Sequence, residues 1–289
     1  MTAESSALYD VPGPKALARH RLYGGIALLA IAALLGWIVY MLFHTHQFTA
    51  AKWTAFQYQG VQDLLLSGLA NTLKAFGWTV LLALPFGALL AVGRLSDHRV
   101  VRWASTLVVE FFRAMPVLVM IFFIFVALKA APLWALVAGL VLYNGSVLAE
   151  VFRAGVLAVP KGQWEAACAL GMRKSQVMAC VLVPQAARAM LPAIISQLVV
   201  ALKDTSLGFL ITYEEFLHAG KLIATNLDYD LPFIPVVMVI APVYIGMCLL
   251  LSWFAHWVER RSRRSPSTRG GAPVAPAEVS MGVPPSART

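Results

Sequence analysis

Apolar residues in this chain run in long blocks separated by short polar stretches. The first block, Leu22 to Phe43, carries no charge. At 1.5 Å of helix rise per residue it is long enough to cross a hydrocarbon core of ~30 Å. Five more blocks of spanning length follow: Leu64 to Gly93, Ala104 to Leu128, Leu133 to Ala158, Gln185 to Ile211 and Leu231 to Trp257. Prolines punctuate them. Pro85 with Gly87 predicts a kink in the second span, Pro132 opens the fourth, Pro192 breaks the fifth, and Pro232, Pro235 and Pro242 lie in the sixth. A cleaved secretory leader is the rival for the first block, but its apolar run exceeds the ~7 to 15 residues of such a core. It is read as a retained span.

The pattern predicts an all-α polytopic membrane protein with about six transmembrane helices. Residues 1–21 read as a disordered cytoplasmic tail, 22–43 as an extra N-terminal helix, 60–258 as the transmembrane domain and 259–289 as a disordered basic tail. Trp53, Phe56 and Tyr58, in the polar stretch after the first span, suit a membrane interface. Tyr213 to His218, after the fifth, reads as an external amphipathic helix lying at the interface.

Composition agrees with the pattern. The 289 residues are 60% hydrophobic and 13% charged, too apolar for a soluble domain. The net charge of +9 does not mark a nucleic-acid partner, because the basic residues are scattered over loops and a tail. Their sidedness is the informative part. Sixteen Lys and Arg fall in the two tails, the Arg94 to Arg102 loop and the stretch after the fourth span, against Lys52, Lys129 and Lys221 on the other face. By the positive-inside rule both termini are cytoplasmic, and the basic start of the C-terminal tail is drawn to anionic membrane lipid. Cys168, Cys180 and Cys248 have no paired spacing, so neither a metal site nor a disulfide framework is indicated.

One polar interruption stands apart, Lys161 to Pro184, on the cytoplasmic side of that topology. Ala166, Ala167 and Ala169 give a short helix with a close-approach face, Glu165 suits the dipole of its first turn, and Gly171 is a left-handed stop. A second short helix is expected to start near Ser175 and to end by Pro184. The stretch resembles the EAA loop of the permease subunits of ABC importers. Glu165-Ala166-Ala167, then Gly171, then Leu182-Val183-Pro184 keep the order of that pattern. The resemblance implies a cytoplasmic coupling helix that docks on a separate ATPase, with Gln163, Glu165, Ala166, Ala167, Gly171 and Pro184 as contact positions.

Ionisable residues inside spans are functional candidates because burying charge in lipid is costly. They are Lys74, Glu110, Arg113, Glu150, Arg153, Lys203 and Asp204. Glu110 with Arg113 and Glu150 with Arg153 stand three residues apart, so each pair can neutralise itself on one helix face. Lys203 and Asp204 are adjacent and point roughly 100° apart, so at least one of them needs a partner on another helix or a ligand.

At these residues the resemblance narrows. Glu110 to Leu118, Ala149 to Gly155 and Leu202 to Leu207 look like signatures of the permeases for polar amino acids, with departures at Ala114-Met115 and Asn144-Gly145-Ser146. It covers about Gly60 to Arg260 and implies a five-helix type I importer core plus the extra N-terminal helix, in a bacterial inner membrane. The partners it implies are a cytoplasmic ATPase dimer, an extracytoplasmic amino-acid-binding protein and a second permease, either a copy or a sister chain. From the residues themselves, Lys203 and Asp204 with the hydroxyls of Thr205 and Ser206 offer both charge signs within one turn, and the candidate substrate contacts are these four with Glu150, Asn144 and Arg113. Buried cations slightly outnumber anions, which leans toward glutamate or glutamine, with arginine as runner-up.

The chain itself is expected to be no enzyme and to hold no cofactor, with ATP bound by the partner. Gly220-Lys221 is not a phosphate loop, since Glu215 stands where its first Gly belongs and Leu222 where Ser or Thr should follow. An ion-driven secondary transporter or channel is the alternative, and would show an internal repeat of broken spans. A membrane enzyme would need a His cluster, paired carboxylates or a nucleophile motif. None of these is seen in the sequence.

Overall fold

The computed structural model describes residues 14–263, and among these there is no β-strand. Nine principal helices carry the architecture: α1 (Pro14–His44), α2 (Gln59–Arg94), α3 (Arg99–Ala114), α4 (Val117–Ala127), α5 (Pro132–Leu157), α6 (Lys161–Ala169), α7 (Lys174–Ile211), α8 (Phe216–Ala224) and α9 (Phe233–Arg263). Five helical stretches are long and apolar enough to cross a membrane, and α3 with α4 makes a sixth if that bent pair is one span. The expected count of about six spans is therefore met.

Its details differ at the prolines. The third span, expected to be continuous from Ala104 to Leu128, bends by 98° between α3 and α4. Pro116 is the cause. Its ring excludes the residue before it from the helical region, and Met115 is extended at φ −83°, ψ 132°. Pro184, by contrast, does not end a helix. A π-helical turn over Val177–Leu182 precedes it, and Val183 N donates five residues back to Met178 O. The widened turn accommodates a ring that would otherwise clash with the carbonyl four residues earlier, so α7 passes through. Pro192 likewise lies inside the helical run and does not break it.

The tails are also shorter than expected. Residues 14–21 are the start of α1, not irregular chain: Pro14 fits the first helical position and good helix formers follow. At the other end the basic run continues α9 to Arg263. The remaining residues assigned to the tails, 1–13 and 264–289, lie outside the described residues.

The bundle is built on α2 and α5. At 36 residues, α2 is about 54 Å long and unbroken through Pro85. Gly87 and Gly145 set the approach of the two helices. A Cβ on Gly87 would lie 2.7 Å from the Gly145 carbonyl oxygen, and one on Gly145 would lie 2.5 Å from Phe86 Cδ1. The main apolar core gathers Ile121 of α4, Leu136 and Leu140 of α5, Ile211 of α7 and the following Tyr213. None of the residues in the apolar span of α1 is buried.

The corner after α7, expected to be external, also departs from the sequence expectation. Tyr213 to Glu215 is not helical, and α8 begins only at Phe216. Nor is α8 an interfacial helix: Phe216, Ala219, Gly220, Ile223 and Ala224 are buried. Their facing surface comes from α2 and α9. Polar groups about a third of the way along α2 pin the corner. Asn71 Nδ2 donates to Glu214 O at 2.8 Å, Tyr213 Oη donates to Asn71 O at 3.0 Å, and Phe216 N donates to Thr72 Oγ1 at 3.0 Å. Burial and the nearby Glu215 push the Tyr213 phenol up to about 12.

Candidate functional site

The polar interruption forms a compact knob. Helix α6 ends in a Schellman motif, with Gly171 N donating to Cys168 O at 2.9 Å and Met172 N donating to Ala167 O at 3.3 Å. Gly171 stands at φ +77°. Ala167 is the buried residue of α6 and packs with Trp164, Met172 and Val177, whereas Gln163, Glu165 and Ala166 are exposed. Pro184 is also exposed, at the top of the π-turn. Gln185 Nε2 donates to Gln163 Oε1 at 3.3 Å, which ties α7 back to α6. Lys174 pairs with Asp97 of the α2–α3 loop and holds that carboxyl below its ordinary value. The knob is thus fixed to two neighbouring elements while its Glu165–Ala166 face stays open.

The seven residues named for substrate contact do not come together. Lys203, Asp204 and Ser206 of α7 line a pocket of about 620 Å³ with Leu217 of α8 and Tyr244 and Cys248 of α9. No ion pair engages Lys203 or Asp204 among the described residues. Thr205 is fully buried, and its hydroxyl donates to Leu202 O at 2.6 Å. Asn144 is buried between α5 and α7, where Gln197 Nε2 donates to its Oδ1 at 2.7 Å. Its own amide donates to Leu140 O at 2.9 Å, so it serves as a helix tie.

Glu150 and Arg113 belong to a separate cluster. Arg94, at the end of α2, sends Nη1 to Glu150 Oε2 at 2.8 Å and Nη2 to Glu110 Oε1 at 3.3 Å. Each carboxylate also meets the arginine three residues on, Arg153 at 2.6 Å and Arg113 at 3.7 Å. The two i, i+3 pairs expected from spacing are present, but a third guanidinium joins them. Sequence reasoning had placed Arg94 in a loop, because the end of α2 carried no mark of what it would face. Tyr244, Cys248 and Gln197 were missed for the same reason, since each reads as ordinary span sequence until its helix is docked.

Residues 83–264 match the family described as the binding-protein-dependent transport system inner membrane component. The glutamate transport system permease protein GluD of Corynebacterium glutamicum is 38% identical over 253 residues, covering 84% of this chain and 91% of that protein. The L-cystine transport system permease protein TcyB of Bacillus subtilis is 32% identical over 222 residues, covering 75% and 93%. Among solved structures, an amino acid ABC transporter crystallised with histidines superposes with a TM-score of 0.63 at 29% identity, over 69% of this chain and 94% of that one. The match over more than half of the sequence, on a bundle of membrane-spanning helices, makes this multi-pass chain a member of the binding-protein-dependent transport system inner membrane component family.

Proposed function

We propose that this chain is the amino-acid-conducting permease of an ATP-driven importer in a bacterial cytoplasmic membrane, with glutamate or glutamine as cargo and arginine less favoured. The observation that carries the reading is the pocket between α7 and α9. It presents Lys203 and Asp204, of opposite sign and without ion-pair partners among the described residues, beside Ser206 in otherwise apolar walls. A zwitterion crossing a low-dielectric layer needs both of its charges met, and this pocket offers both signs. The Arg94 cluster is engaged with itself, whereas Lys203 and Asp204 have no ion pair among the described residues and line a pocket. The likeness to a permease named for glutamate supports the choice of substrate.

Energy enters through α6. Its exposed Gln163, Glu165 and Ala166, shaped by Gly171 and followed by Pro184, form the contact for a cytoplasmic ATPase dimer, which binds the ATP. A second permease, copy or sister, closes the path, and an extracytoplasmic binding protein delivers the amino acid. Both termini are cytoplasmic, so reporter fusions at Thr289 and near Phe56 report opposite sides.

The cargo site is tested by uptake of glutamate, glutamine and arginine in competition, in Lys203→Ala and Asp204→Asn variants of the complete importer. A changed preference or rate with normal assembly supports the site. Failed insertion or assembly with unchanged preference makes the pair structural and sinks the assignment.

A further inference from the structure

Beyond the Lys203–Asp204 pocket, α7 and α9 enclose further space at residues 192–199 and 252–256. On α9, Tyr244, Cys248, Ser252 and His256 recur every fourth residue and so lie in one row. On α7, Ser196 and Pro192 lie on the face that carries Lys203. A second pocket, of about 270 Å³, is lined by Pro192, Ile195, Ser196, Val199, Ser252 and His256. Both helices give the same distance between the two pockets. Seven residues separate Ser196 from Lys203 and eight separate Ser252 from Tyr244, which at 1.5 Å per residue is about 10 to 12 Å.

The second pocket is polar: His256 and Ser196 present acceptors, and Ser252 keeps a hydroxyl that can donate or accept. His256 Nδ1 lies 2.7 Å from Ser252 O, and a carbonyl only accepts, so Nδ1 carries the ring proton. Its Nε2 has no hydrogen-bond partner among the described residues and is an acceptor in the Nδ1–H tautomer. Ser196 donates its hydroxyl proton to Pro192 O at 3.0 Å and keeps only its lone pairs for another donor. Pro192 has no N–H to return to the Arg188 carbonyl one turn back, so that oxygen also lacks its helical donor. Within a membrane such a freed backbone group must find a partner or face water. No Lys, Arg, Asp or Glu lines the pocket.

We infer that Ser196, Ser252 and His256 form a second, cytoplasmic-side subsite that receives the primary ammonium group of the amino acid after it leaves the Lys203–Asp204 pocket. A cluster of acceptors without a fixed cation suits an alkylammonium. Because every α-amino acid carries that group, the subsite is indifferent to the side chain. The Arg188 side chain is exposed, one turn further toward the cytoplasm on the same face of α7. It stands where the carboxylate of the departing zwitterion can follow. This inference rests on the reading of the α7–α9 groove as the cargo path.

Thiol protection tests it in inside-out vesicles holding the complete importer. One permease carries Ser252→Cys with Cys168, Cys180 and Cys248 changed to serine; a second keeps native Cys248 and changes the other two cysteines. A membrane-impermeant thiol reagent is added with glutamate, or with glutarate, which has the same two carboxylates and no ammonium. The expected result is that glutamate, at about ten times its half-protecting concentration, slows modification at 252 about tenfold by mass action, while glutarate does not. His256→Leu in the same background removes that protection, and His256→Gln, which restores an acceptor, recovers it. Protection at Cys248 but not at 252 overturns the subsite and leaves the cargo path standing. Equal protection by glutarate overturns the ammonium assignment, and absence of modification or protection at both positions overturns subsite and path together.

Discussion

Tyr244 Oη donates a 2.8 Å hydrogen bond to Glu215 Oε2, joining the middle of α9 to the residue that caps α8. Glu215 is fully buried and also caps α8, accepting from Leu217 N at 2.8 Å and His218 N at 2.7 Å. Three donated bonds on one carboxylate explain how an acid tolerates that position. The α8 corner therefore depends on a polar knot inside an apolar shell.

The first prediction concerns that knot. Glu215→Ala strands two backbone donors and a phenol, and should cost about 1 to 3 kcal/mol. Its pH dependence has a definite sign. Burial raises the Glu215 pKa above its ordinary 4.5, outweighing the hydrogen bonds that lower it. Between the ordinary and the raised value the folded state holds more protons than the unfolded state. The contribution is thus complete below the unfolded value and is lost as pH rises through the folded one. Melting of the detergent-solubilised protein from pH 4.5 upward should show that decline in the wild type and not in Glu215→Gln. Parallel curves would remove Glu215 as its source.

Spans were legible in the sequence because a run of apolar residues has few other uses, and α5 was placed to within a residue at each end. Proline effects were not. Pro116 breaks its span while Pro184 and Pro192 do not, and the difference lies in the backbone around each ring: a π-turn relieves Pro184, a feature with no compositional mark. The Gly171 stop was legible because a left-handed residue at a helix end selects glycine. Cross-helix partners such as Arg94 with Glu150, or Gln197 with Asn144, stayed hidden. Each depends on a docking geometry that a single sequence leaves open.

A second prediction follows from the α2–α5 approach. Alanine at Gly87 would bring Cβ within 2.7 Å of the Gly145 carbonyl and 2.9 Å of Leu148 Cβ. Neither is the free end of a flexible side chain, so the helices must separate. Overpacking of this kind costs about 1 to 3 kcal/mol. Gly77→Ala, at a position with nothing within 4 Å, is the control and should melt at or above the wild type, since alanine favours a helix interior. Equal melting of both variants would mean that the close approach does not govern stability.

Arg94 supplies a third. Its side chain is 10% exposed and spans two carboxylates. Arg94→Ala leaves them with one arginine each, and because both carboxylates are partly exposed the loss should be about 1 to 3 kcal/mol. Arg94→Lys should recover only part of the loss, because a single ammonium does not reproduce the planar fork. Thermal unfolding of the two variants checks this, and full rescue by lysine would count against a forked contact.

The last prediction joins the backbone of Gly171 to coupling. Nothing lies within 4 Å of a Cβ built there, so a side chain meets no steric obstacle. The restriction is the φ of +77°, which a β-branched residue adopts poorly. Gly171→Val should therefore cost about 1 to 2 kcal/mol at this turn, a factor of roughly 5 to 30 in the population of the formed Schellman motif. Asparagine tolerates the left-handed region, so Gly171→Asn should lose much less. The two substitutions separate backbone geometry from the mere presence of a side chain. If α6 is the ATPase contact, the valine variant inserts normally yet retains less ATPase on copurification and transports more slowly, while the asparagine variant stays close to the wild type. Equal ATPase retention and transport in both would mean that the Gly171 turn does not shape the contact, and would leave α6 as a linker between spans.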